Sequence, residues 1–182
     1  MLVSRTRTER RPGAAFARTV GSYRVTLGGE ALSGLEGATV ETHGPGDNSL
    51  AGVTSHVRIE AGIYPLYTYG GEKYATLNYE TDPGIGKRPW PAIGIGETGT
   101  RSGIIIHPAA GYLMSIGTIN LSKPLAGPSD NLEFQDSSQR TIALIDAMKE
   151  KLSVNFPTTN NERIPNAWIV ISGEPTDEAA GN

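Results

Sequence analysis

Apolar and polar residues alternate over short stretches of this chain, and most of the stretches are bounded by glycine or proline. From Tyr23 to Leu27 the run Tyr-Arg-Val-Thr-Leu alternates and Gly28-Gly29 follows, which predicts a strand entering a hairpin, because glycine supplies the positive φ of a tight turn. Ala38 to Thr42 is a weaker strand. Val57 to Tyr69 is rich in β-branched and aromatic residues but is punctuated by Gly62 and Pro65, the pattern of a bent or edge strand pair. Ile104-Ile105-Ile106 is a continuous apolar run ending in His107, predicting a central strand buried on both faces. Met114 to Leu121 predicts a turn leading into another strand, and Asn166 to Ser172 a final core strand.

Helical periodicity is confined to Asp136–Leu152. Ile142, Ile145, Met148 and Leu152 fall on one face, Asp136 with Gln139 has the form of a capping box, and Lys149 and Lys151 sit where the helix dipole favours cations. Two stretches are dense in turn formers: 42–55, predicted as an exposed loop, and 81–99, where Trp90 and Ile93 predict a loop packed onto the core.

These elements predict a mainly β (α+β) fold: a single domain over 1–182 whose short strands form a curled sheet or barrel-like core, with one long helix at about 136–152. Twenty-three Gly and 12 Pro among 182 residues fit many turns and exclude a coiled coil. Arg5, Arg7, Arg10, Arg11 and Arg18 face a single acid, Glu9, so residues 1–18 read as a basic, solvated arm. Residues 174–182 read as a polar, frayed tail.

A net charge of −3 gives no footprint for nucleic acid. No transmembrane run and no secretory h-region is present, so the expectation is a soluble protein, cytoplasmic or delivered with a particle. The absence of cysteine removes disulfides, thiolate metal sites and thiol nucleophiles. No cofactor is expected, since Gly94-Ile95-Gly96 with Gly99 precedes a strand instead of opening a helix. No metal is expected either, because His43 and His56 flank a loop without ligand spacing and one well-placed histidine is not a coordination set.

His107 is the exception, because a ring at the mouth of a buried strand is held rigidly while the adjoining loop leaves access. Arg101-Ser-Gly-Ile-Ile-Ile-His107-Pro108 is followed, eleven residues after the histidine, by Thr118 within Ser115-Ile116-Gly117-Thr118-Ile119-Asn120. This pair of motifs resembles a phage and bacterial family of unassigned function, with Ile-His-Pro and then Gly-Cys-Ile, itself similar to the L,D-transpeptidase catalytic domain. Thr39-Val40-Glu41, Glu60-Ala61-Gly62-Ile63-Tyr64 and the late helix extend the resemblance over roughly Leu2 to Glu174.

In that family a cysteine thiolate attacks a peptide carbonyl of the peptidoglycan stem, assisted by histidine and oxyanion donors. Carried over, His107 matches the histidine, Thr118 takes the cysteine position, and Ser115, Gly117 and Asn120 are the accompanying motif positions. Ile116 stands where many transpeptidases place a further histidine. A threonine hydroxyl stays protonated and needs a general base, so the resemblance implies a domain without the catalytic cysteine. It would be a non-catalytic binding or structural module of a phage-like, secretion or cell-wall-associated system, with stem peptide or an assembly protein as partner. The alternative is a peptide hydrolase or transpeptidase using Thr118 or Ser115 with His107. Arg101, His107 and Tyr112 are the candidate binding residues, Arg101 because a guanidinium matches carboxylate geometry.

Overall fold

The alternating N-terminal third builds one continuous antiparallel ribbon. The computed structural model describes residues 1–50, 56–114 and 117–176. In it β1 (Leu2–Glu9), β2 (Arg18–Leu27) and β3 (Glu30–Thr42) pair in turn, and Leu27 faces Glu30 across the Gly28-Gly29 turn, both glycines having positive φ. The hairpin expected from the glycine pair is therefore formed, and its second strand runs through the weaker Ala38–Thr42 segment. There β3 turns from exposed to fully buried.

The later strands are shorter: β4 (Gly62–Thr68), β5 (Tyr74–Ala75), β6 (Trp90–Pro91), β7 (Ile93–Ile95), β8 (Ile105–Ile106), β9 (Asn120–Ser122) and, after the helix α1 (Phe134–Leu152), β10 (Arg163–Ser172). Eight of them form a mixed sheet in the order β8-β7-β4-β10-β1-β2-β3-β9, and β5 with β6 makes a small parallel pair. The two outer strands meet: the Ile119 amide donates to Ile105 O at 3.0 Å and the His107 amide to Ile119 O at 3.2 Å. That contact curls the sheet into a nearly closed barrel. Val3, Ile93, Ile106, Ile119, Leu121, Ile145 and Ile169 belong to the core that fills it. Trp90 and Ile93 are buried, so the second half of the turn-rich 81–99 stretch packs down, as strands β6 and β7 where a loop was expected, while its first half stays largely at the surface with Ile85 exposed.

Several expectations are corrected. Ile104–Ile106 is buried as anticipated, but β8 lies at the closing seam and not at the sheet centre, being cut to two residues by Gly103 (φ +70°) and Pro108. The centre belongs to β1, parallel to β10 and antiparallel to β2, so the first half of the supposed basic arm is core sheet. Val3 and Arg5 point inward, and a bulge between Arg5 and Arg7 moves the inward position to Thr8. Buried Arg18 is held by Glu9 at 2.7 Å and by the carbonyls of Tyr112, Asp130 and Gly127, which replace the water a solvated arm would keep. The polar tail is also docked where it begins, because Glu174 pairs with Arg5 and Arg58. Residues 177–182 lie outside the described residues.

The helix starts two residues earlier than expected. Its N-cap is Glu133, without a side-chain cap, and Asp136 instead accepts the Lys123 amide at 2.7 Å and pairs with Arg140 at 2.9 Å. Its buried residues are Phe134, Ser137, Ser138, Thr141, Leu144 and Ile145, with Ile142 only half-buried. Small hydroxyl residues in the first half let the helix approach β9, β6 and β3 closely.

Candidate functional site

The seam that closes the barrel brings His107 and Thr118 together. His107 follows β8 and Thr118 immediately precedes the Ile119 bridge, so the backbone bonds that join the sheet edges also set these two side chains face to face. His107 Nε2 lies 3.0 Å from Thr118 Oγ1, and Nδ1 lies 2.7 Å from Pro108 O. A carbonyl oxygen only accepts, so Nδ1 carries the proton of the neutral ring and Nε2 turns its lone pair to Thr118, whose hydroxyl donates.

Burial governs the electrostatics. The ring is 2 % exposed, and desolvation lowers its pKa from 6.5 to about 4, only partly opposed by the hydrogen bond to Pro108 O. Tyr74 covers it, with ring centroids 4.7 Å apart. Thr118 is 9 % exposed. The pair is therefore a neutral imidazole accepting from a buried hydroxyl at neutral pH.

The accompanying motif residues sit around this pair. Asn120 Nδ2 donates to His107 O at 2.9 Å, which holds the backbone that carries the ring. Gly117 has φ +76°, and its amide donates to Thr42 Oγ1 at 3.3 Å; a Cβ there would overlap the Arg101 guanidinium. Ser137 Oγ on α1 accepts the Ala109 amide at 3.1 Å, fixing the turn beyond the histidine. Ser115 lies outside the described residues.

The binding candidates divide. Arg101 is next to Gly117 but is turned into the fold, donating to Asp47 O at 2.9 Å and Val57 O at 3.0 Å. Tyr112 is committed to the other end of β1: its hydroxyl donates to Glu9 O at 2.7 Å, and Arg11 and Arg18 lie against its ring at 4.7 and 4.4 Å. His43 and His56 stack on Phe16. Among the described residues no three His, Asp or Glu side chains converge in a metal-ligating group. Among them, too, no helix is long and apolar enough to cross a membrane.

Sequence reasoning did not anticipate Tyr74, because nothing local places it over a strand end thirty-odd residues away. It also passed over Arg58, although an arginine between Val57 and Ile59 is a charge inside an apolar run. Comparison with family models, with curated proteins and with solved structures found no match to this chain.

Proposed function

We propose that this chain is a non-catalytic module built on an L,D-transpeptidase-like barrel, binding a partner in a phage-like, secretion or cell-wall-associated system, with peptidoglycan stem peptide as the candidate ligand. The observation that carries the non-catalytic part is the burial of His107, 2 % exposed beneath Tyr74, where its ring meets the Thr118 hydroxyl at 3.0 Å. A ring whose conjugate acid has a pKa of about 4 is a weak base toward an aliphatic hydroxyl, since general-base efficiency falls as the base weakens. Asn120 braces the seam through His107 O, and Arg101 is engaged with the carbonyls of Asp47 and Val57 between β3 and β4.

One observation favours a second reading, acyl transfer by Thr118 with His107 as base: the tautomer set by Pro108 O aims the Nε2 lone pair at the hydroxyl proton, as a nucleophile–base pair requires. Incubation with purified muropeptides separates the two. Binding without new products in the mass spectrum is the expected result; products that disappear in His107→Ala and Thr118→Ala would establish the enzyme. Access is measured by Thr118→Cys, which places one thiol in a chain with no cysteine. Its alkylation by iodoacetamide is expected to be at least tenfold slower than that of free cysteine.

A further inference from the structure

The loop after β3, the segment before β4 and the residues after β10 converge on two buried arginines outside the His107–Thr118 seam. Arg5 gives the Nε and Nη2 edge of its guanidinium to Glu41, at 2.8 and 2.7 Å, and its Nη1 to Glu174 Oε1 at 3.0 Å. Arg58, 0 % exposed, donates from Nη1 to Thr19 Oγ1 at 2.6 Å and from Nη2 to Glu174 Oε2 at 2.8 Å and Pro175 O at 3.2 Å. The amides of Gly46 and Ala61 donate to the same carboxylate at 3.3 and 3.2 Å. Glu174 thus rests in a cradle of two guanidinium groups and two backbone N–H groups, with its own side chain 42 % exposed. These donors hold its pKa below the ordinary glutamate value against the desolvation that raises it.

The cradle is incompletely used. Arg58 Nε is buried and has no hydrogen-bond partner among the described residues. Nε and Nη2 form the edge that accepts a carboxylate by both oxygens, as Arg5 does with Glu41, whereas Glu174 meets the Arg58 edge through Nη2 alone. Gly44 packs on the flat of the Arg58 guanidinium, where a Cβ would overlap it. Beside Arg58 opens a cavity of about 640 Å³, walled mainly by carbon from Pro45, Ala61 and Pro175, with Glu60 among its lining residues. Gly173, at φ +89°, is where the chain turns out of β10 to deliver Glu174.

We propose that this cradle is a binding site for a small organic monocarboxylate with an apolar body, and that Glu174 is its internal stand-in. The ligand carboxylate takes the Arg58 edge squarely, satisfies Nε, and displaces the Glu174 carboxylate into water by rotation of its half-exposed side chain, which leaves Pro175 in the cavity wall. The charge of the cradle is unchanged by the exchange, and the apolar wall receives the ligand body. Glu60 disfavours a second negative charge.

The test uses Glu174→Ala, with sodium butyrate as probe and sodium chloride at equal ionic strength as control. The variant is expected to melt below the parent, and tens of millimolar butyrate is expected to restore at least half of that loss, because a ligand that binds only the folded state raises Tm. Chloride is expected not to do so, and Glu174→Gln, whose amide stays in the cradle, is expected to respond less. Equal shifts of Glu174→Ala with butyrate and chloride would overturn the proposal. Should Glu174→Ala not fold, the parent protein carries the test: saturable shifts of the Gly46 and Ala61 amide resonances with butyrate but not chloride support the site, and their absence overturns it.

Discussion

His107 is a residue whose chemistry is decided by what surrounds it. Exposed, an imidazole would share its charge with water near neutral pH; in the seam its conjugate acid has a pKa of about 4. Between pH 6.5 and 4 the unfolded chain binds a proton that the folded ring refuses, so folding stability falls as pH falls through that window and is fully present above it. A shift from 6.5 to about 4 corresponds to about 3 kcal/mol. Urea denaturation of the parent and of His107→Gln at about pH 7 and about pH 4.5 is expected to show a steeper loss in the parent by up to that amount. Equal slopes would mean that the ring is solvated. The identity and spacing of His107 and Thr118 were legible along the chain; the burial that makes the ring a weak base was not, because it comes from Tyr74 and the closed sheet.

Elements were legible where the signal was local. The Gly28-Gly29 turn is such a case: the φ values are +59° and +89°, and beyond the flanking residues no atom of the described residues lies within 4 Å of where a Cβ would stand on either glycine. Side chains there strain only the backbone. Gly29→Ala is expected to cost about 1 kcal/mol in thermal unfolding. Gly28→Asn is expected to change stability by only a few tenths, since asparagine tolerates the left-handed region and Asn-Gly suits this turn. An unchanged Tm for Gly29→Ala would show that the hairpin can adopt another turn. The helix boundary was less legible: Asp136 and Gln139 have the form of a cap, but Lys123 and Arg140 take the Asp136 carboxylate in the folded chain. The three isoleucines before His107 signalled burial and could not signal position, because a strand at a closed seam and a strand at a sheet centre are both covered on two faces.

For the molecule as a whole, the charges thought to lie outside are a principal part of what ties the ends together. Arg5, on the central strand, joins Glu41 of β3 to Glu174 beyond β10, so one guanidinium links three parts of the barrel wall. Glu41 is 2 % exposed, and removing it leaves a buried cation without its bidentate partner. Glu41→Ala is therefore expected to lose about 3–5 kcal/mol by denaturant unfolding, and the double variant with Arg5→Met is expected to be more stable than Glu41→Ala alone. A loss below about 1 kcal/mol would place the pair in effective contact with water. Alternation, glycine turns and a single stretch of helical period determined by themselves a mainly β domain with one helix, because periodicity and turn geometry are properties of neighbouring residues. Only the tertiary structure decided which strand is central, that a basic stretch is core and that a histidine is shut beneath a tyrosine. Those outcomes depend on which distant groups arrive to replace water around each charge and ring, and that pairing is not written in local order.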